Sequence, residues 1–307
     1  METQTKKEKL QIAYLISAHT DAPQLKRLIE ALQPDAEFFV HIDRKSNIET
    51  FAKLIQNCNV HFISERVDVR WGTLVEVEYQ MNLIRAAIQY PKHFTHIFFL
   101  SGMDYPLWSA NKINQWLMEH DGREFLQGIC MDTTYINAKQ KEMYTVARPI
   151  FKNNKISILA RKLLRMTGYR KKRNFMFEGK SWKLYKGSAW WCISEELASH
   201  ILQMYETKAQ IKAYFKDSFC PAETLIQTIA FNTPQWAEKC ILTEGEYPGL
   251  PALTPLHFID YEPVIKILDE EDYDRLMLSG KMFCRKIISG KSDKLVKLIQ
   301  QQKETQL

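Results

Sequence analysis

What the sequence lacks narrows its function first. In 307 residues no apolar run approaches the ~18 needed to cross a bilayer as a helix, so the chain is expected to be soluble or at most peripheral. There is no Gly-x-Gly-x-x-Gly and no Walker motif, which counts against nucleotide binding by a glycine cradle. The six cysteines (Cys58, Cys130, Cys192, Cys220, Cys240 and Cys284) are scattered, with no Cys-x-x-Cys and no regular spacing to histidine. That argues against a zinc site or a disulfide framework and fits a reducing compartment. Met1 to Leu10 are charged and polar, without the apolar core of a secretory leader. The expected location is therefore cytoplasmic, with peripheral contact on the inner face of the membrane as its furthest extension. Repeats and low-complexity linkers are absent too, and the length suffices for one large core.

What is present is ordinary for a soluble globular protein. The net charge of +6 fits an anionic ligand or surface and is too small to imply nucleic acid. From residue 11 the chain alternates short apolar runs with amphipathic stretches. Residues 11–17, 38–43, 59–63 and 96–100 read as buried strands, with helices expected through Leu25–Leu32, over 48–57 and over 74–90. That rhythm argues for a parallel sheet with helices on both faces, which binds ligands at the carboxyl ends of its strands. Asp43 and the loop Ser101-Gly102-Met103-Asp104-Tyr105-Pro106 fall there.

The second half is less regular. A strand is expected over 185–193, a helix over 195–206, short strands near 239–243 and 256–261, a polar helix around 269–278 and a C-terminal helix from about Ser292. Residues 152–173 form a basic segment in which Ile156, Leu159, Leu163 and Met166 make an apolar stripe. The favoured expectation packs that stripe on the domain; the alternative lays it on an anionic membrane. In the stretch 217–231, Pro221 fits a helix start and Leu225, Ile226, Ile229 and Ala230 recur at helical spacing. Glu223 then falls in the first turn, where the helix dipole would keep it ionised. It reads either as a capping residue or as a general base.

The order of the motifs resembles the core-2/I-branching β-1,6-N-acetylglucosaminyltransferase family, which also includes the peptide O-xylosyltransferases. The resemblance runs from about residue 11 to 288. It is carried by Ala13-Tyr14-Leu15-Ile16 with His19, Phe39-Val40-His41-Ile42-Asp43-Arg44-Lys45-Ser46, Arg70-Trp71-Gly72 and Phe99 to Pro106. Gly187-Ser188-Ala189-Trp190-Trp191, Pro221-Ala222-Glu223, Leu256-His257-Phe258-Ile259-Asp260-Tyr261 and Met282-Phe283-Cys284-Arg285-Lys286 complete it.

The resemblance implies a GT-A-type fold: a Rossmann-like, mostly parallel sheet flanked by helices, with an irregular C-terminal half. It implies one domain, with a nucleotide-binding half over about 10–120, an acceptor and catalytic half over about 121–290 and a helical tail over 291–307. It implies an inverting transfer from a UDP-sugar to a glycan or glycolipid hydroxyl, without a metal or other cofactor. Glu223 takes the place of the general base, and Arg285 with Lys286 that of the cations replacing a metal at the leaving diphosphate. Asp43 matches the nucleoside contact. His19, Arg70, Trp71, Asp104, Gly187, Ser188 and His257 fall among the other donor-site positions. Trp71 reads alternatively as core, and Trp190 or Trp191 as packing. His257 stands where the family usually carries Arg, a second phosphate ligand. The one Asp-x-Asp, Asp272-Tyr273-Asp274, reads as part of a solvated helix face rather than a metal site. N-acetylglucosamine is the favoured sugar, xylose the runner-up, and a non-catalytic sugar-nucleotide binder the alternative of another class.

Overall fold

The computed structural model describes residues 10–33, 35–131, 154–168, 175–261 and 264–305, and the basic run 170–173 lies outside them. The first part runs β1 (Ile12–Ala18), α1 (Ala22–Leu32), β2 (Ala36–Ile42), α2 (Ile48–Ala52), β3 (Val60–Phe62), α3 (Val75–Ile88) and β4 (His96–Ser101). β3, β2, β1 and β4 pair in parallel in that spatial order, with Leu15 opposite both Phe39 and Phe99. The near-continuous apolar runs are explained by burial on both faces. Ile12, Tyr14 and Ile16 pack with Leu25, Leu28 and Ile29 of α1, while Ala13 and Leu15 pack with Val77, Met81 and Ile84 of α3. The alternation of one strand thus fills two cores. α1 opens on a side-chain cap: the Asp21 carboxylate accepts from the Gln24 N–H at 3.1 Å, and Pro23 occupies the first turn.

Next come β5 (Asp104–Pro106), α4 (Ala110–Glu119), β6 (Gln127–Cys130), α5 (Asn154–Met166), β7 (Phe175–Phe177), β8 (Lys180–Trp182), β9 (Tyr185–Gly187) and β10 (Trp191–Ile193). The single strand expected over 185–193 is two. β9 joins a small sheet with β6, and β10 crosses to the main sheet, antiparallel to β4 with Trp191 opposite Phe99. At Gly187, the last residue of β9, the chain runs close against β6, and a Cβ would come within 2.0 Å of the Gln127 carbonyl oxygen. The stripe of α5 also departs from expectation. Ile156, Leu159, Leu163 and Met166 are 50%, 57%, 54% and 75% exposed, and it is Ser157 that turns inward.

The chain continues through α6 (Glu195–Thr207), α7 (Ala209–Phe215), a 3-10 turn at Pro221–Glu223, α8 (Leu225–Phe231), α9 (Pro234–Ala237), β11 (Ile241–Thr243) and β12 (His257–Ile259). Glu223 is therefore not in the first turn of an α-helix. Thr224, at φ −134°, separates it from α8. α10 (Tyr273–Leu278), β13 (Phe283–Arg285) and α11 (Asp293–Thr305) close the fold. β13 lies between β12 and β5, which brings Arg285 opposite Asp104. Asp272 is not on a solvated face either. It is buried, closes a capping box with Asp269 and accepts from Lys266 at 2.7 Å.

Candidate active site

A cavity of about 500 Å³ opens at the carboxyl ends of β1, β2 and β4. That is the end where open parallel sheets take ligands, and the volume suits a medium-sized one. A concavity of about 490 Å³ lies at the opposite ends of β1 and β2, around Gln11, Asp35, Glu37 and Lys92, and none of the expected site residues lines it.

Of those residues, His19, Asp43, Trp71, Glu223 and Arg285 line the central cavity. Asp43 directly follows β2 and is nearly buried. Its carboxylate accepts from the Lys45 N–H at 3.0 Å and faces the Lys45 ammonium at 3.3 Å. Arg66 clamps this loop by donating to the carbonyls of Ile42, Asp43 and Ser46. His19, on the exposed rim, is pushed down first by the protein atoms around its ring, against the pull of Asp43, and then further by Arg285, Lys286 and Lys45. Three cations therefore act on one rim of the cavity. Trp71 is not core: it is 74% exposed and meets the Phe219 ring edge-on, centroids 5.5 Å apart.

Asp104 and His257 sit behind that rim rather than on it. Asp104 is fully buried, and Oδ1 accepts from Arg285 at 3.0 Å while Oδ2 accepts from the Ser101 N–H at 2.7 Å and the Trp190 indole N–H at 3.1 Å. Burial alone would raise this carboxyl. His257, 3.3 Å away, together with Arg285 and the Ser101 N–H outweighs it and holds the group below the usual range. The His257 ring is itself buried and lies against Phe283, so it braces Asp104 and has no face for a phosphate. Arg285 is fixed from two sides, by Asp104 and by the Trp190 ring 5.2 Å beneath its guanidinium. Trp191, one residue on, is pure packing against Phe99.

The remaining expected residues stand further off. Arg70 pairs with Asp68 at 3.5 Å outside the cavity lining. Gly187 makes its close approach to β6, and the buried Ser188 gives its carbonyl to the Gln227 amide at 2.7 Å. Lys286 is half-buried, and its ammonium is pushed down by burial first and by Arg285 and Lys291 second.

Glu223 is held by a group that sequence reasoning missed. Its Oε2 accepts a 2.5 Å hydrogen bond from Lys186, whose side chain is only 4% exposed. The cap that would have explained Glu223 is filled otherwise, since the Cys220 N–H donates to the Gly72 carbonyl at 3.1 Å. Cys220 itself takes φ 45°, a left-handed value rare away from glycine, just before Pro221. Glu76 and Tyr79 also enter the cavity, and neither was foreseen. Both lie within eight residues of Gly72 on α3, the one faint signal available.

A mixed, mostly parallel α/β sheet with this cleft at its strand ends is the architecture that takes ligands at the carboxyl ends of its strands. The chain belongs to the Core-2/I-branching enzyme family, whose model matches residues 12–247. Xylosyltransferase sqv-6 of Caenorhabditis briggsae is 23% identical over 216 residues, covering 68% of this chain and 25% of that protein. The human β-1,3-galactosyl-O-glycosyl-glycoprotein β-1,6-N-acetylglucosaminyltransferase is 26% identical over 223 residues, covering 71% and 48%. Mouse xylosyltransferase 2 is 23% identical over 239 residues, covering 74% and 25%. The chain thus spans a quarter to a half of these relatives. Among solved structures the likeness is remote, with a TM-score of 0.32 and 12% identity to mouse xyloside xylosyltransferase 1 over 76% of this chain and 84% of that one.

The relatives overturn the cytoplasmic location. They are animal transferases, one of them named for a glycoprotein acceptor, and an inner-membrane-face placement does not follow from the polar first ten residues. Among the described residues, no helix is long and apolar enough to cross a membrane.

Proposed function

We propose that this protein is an inverting glycosyltransferase that moves a sugar from a UDP-sugar to a glycan hydroxyl. The observation that carries the reading is that a carboxylate, Glu223, and a guanidinium, Arg285, line one cavity at the strand ends. Glu223 takes the proton from the acceptor hydroxyl as its oxygen bonds to the anomeric carbon. The bond from that carbon to the diphosphate oxygen breaks in the same displacement, and its electron pair leaves with UDP. Arg285, with Lys286 and Lys45 acting on the same rim, meets the charge that grows on the leaving oxygen. In this reading those side chains do the work that a divalent ion does elsewhere, so the transfer runs without metal. Asp43 suits the ribose or base of the nucleoside, and exposed Trp71 suits stacking at the mouth.

N-acetylglucosamine is the favoured sugar and xylose the alternative, since relatives of both activities match. A glycan or glycolipid is the acceptor class. Peripheral contact with an anionic membrane through α5 is a separate proposal, supported by its exposed stripe. The chemistry is tested by Glu223→Gln, which keeps shape and removes the proton acceptor. Turnover is expected to fall by about 10²–10⁴ with UDP affinity nearly unchanged. A variant that keeps more than about a tenth of the parent rate rules out the base and favours a non-catalytic binder or another base.

A further inference from the structure

One carboxylate in the cavity has no place in the chemistry above. Glu76, in the first turn of α3, lines the same space as Glu223 and Arg285. Its Oε2 accepts a 2.6 Å hydrogen bond from the Gly72 N–H. Among the described residues no second donor and no cation reaches this side chain. The other oxygen, Oε1, is neither bonded nor shut away from solvent, and so is open to the cavity. A carboxylate offers about four lone-pair directions, and a half-buried one that meets a single donor is short of partners.

The backbone sets where that oxygen stands. Gly72, at a left-handed φ of 76°, donates to Glu76, while its carbonyl accepts from the Cys220 N–H at 3.1 Å. The start of α3 is thereby tied to the turn that carries Glu223. One turn further along α3, Tyr79 also lines the cavity and is stacked on His41 of β2 and Phe99 of β4, centroids 5.1 Å and 6.1 Å away. Glu76 thus stands on the wall between the strand ends and the turn of the base.

A donor set for one in-line displacement has its leaving oxygen at Arg285 and its anomeric carbon before Glu223, so its sugar ring lies between them. A carboxylate repels the diphosphate. The uncharged hydroxyls of the ring are the groups of the donor from which it can accept. Burial pushes the Glu76 carboxyl up to about 7 against the pull of the Gly72 N–H. A hydroxyl both donates and accepts, so it partners either form of that carboxyl.

We propose that Glu76 is a specificity-determining residue for the donor, its Oε1 bonding a ring hydroxyl at C3 or C4 of the sugar. Those are the hydroxyls that N-acetylglucosamine and xylose have in common. The proposal deepens the function proposed above and rests on the donor being a UDP-sugar. Its consequence is that Glu76 selects the configuration of the ring and leaves the choice between the two sugars to other contacts.

The test is donor binding by calorimetry, which needs no acceptor. The probes are UDP, UDP-N-acetylglucosamine and UDP-xylose, with the 3-deoxy and 4-deoxy forms of whichever sugar nucleotide binds more tightly. In Glu76→Ala that sugar nucleotide is expected to bind about 10–100-fold more weakly, the scale of a hydrogen bond to a charged group, with UDP itself held within about twofold. In the parent one deoxy form is weakened by a similar factor, and Glu76→Ala binds that form as well as the full sugar. A merely structural role would leave the discrimination in place. An unchanged sugar-nucleotide affinity in Glu76→Ala, or parent-like discrimination against the deoxy form, overturns the proposal.

Should Glu76→Ala lose UDP binding as well, Glu76→Gln decides by the same comparison, because it keeps an oxygen for the Gly72 N–H. Lost discrimination supports the proposal and retained discrimination overturns it. A parent that binds neither UDP nor a sugar nucleotide refutes the proposed function and this inference with it. A parent that binds both, with Glu76 variants indistinguishable from it, refutes only the role of Glu76.

Discussion

Arg285 reaches the cavity because a buried carboxylate holds it there. Asp104 accepts one hydrogen bond from that guanidinium and is itself held by two more, from Ser101 and Trp190, with His257 behind it. Loss of a diphosphate contact should therefore appear in binding. Lys286→Ala, and more strongly the double variant with Arg285→Ala, is expected to weaken UDP binding by about 1.5–3 kcal/mol, measured by calorimetry. Unchanged affinity in the double variant would make these cations structural. At this scale the place of Glu223, Asp43 and Arg285 in ordered motifs marked three residues that line one cavity. The sequence could not show Lys186, 37 residues before Glu223, meeting it at 2.5 Å. Nor could it separate a ligand from a brace: Asp104 and His257 stand in the right motifs, and only burial reveals what they hold.

At the scale of elements, legibility tracked length. β1, β2 and β4 are six or seven residues buried on both faces, and each was visible as an apolar run. The strands of the second half are three residues each, too short for any periodicity, so the split between β9 and β10 was hidden. α5 shows the opposite problem. Its 3.6-residue pattern was read correctly as a helix, but periodicity says only that an apolar face exists, not what covers it. Here Lys155 and Lys162 are exposed beside that face, and residues 154–168 contain no acidic side chain. Co-sedimentation with anionic vesicles is expected at low salt, weakening as salt rises, with about 1 kcal/mol from each basic residue near the surface. Replacing Ile156, Leu159 and Leu163 with Ser should abolish it. Equal recovery with neutral and anionic vesicles would show that a protein partner covers the stripe instead.

At the scale of the molecule, the strand–helix rhythm of the first hundred residues was enough to place the sheet and the end of it where the cavity opens. The later segments were harder because they do not form a unit of their own. β10 enters the main sheet beside β4, and β13 pairs with β5. Charge at the cleft is likewise assembled from distant places, with Lys45 after β2 and Arg285 in β13. If these cations neutralise the leaving group, turnover should survive excess EDTA and gain nothing from added manganese. A complete loss that manganese restores would instead require an ion.

The placement of β10 also governs how the protein must be made. Four parallel strands are complete once Ser101 has been synthesised, yet the outer edge of β4 has no neighbour until Trp191–Ile193 emerges. For that whole interval an apolar strand offers its backbone groups to any other chain, the situation that mature proteins avoid by covering their edges. Trp191 then does more than fill space against Phe99. Its arrival covers three residues of that edge, and the same step carries Trp190 to the cleft, so protection of β4 and the seat for Arg285 appear together.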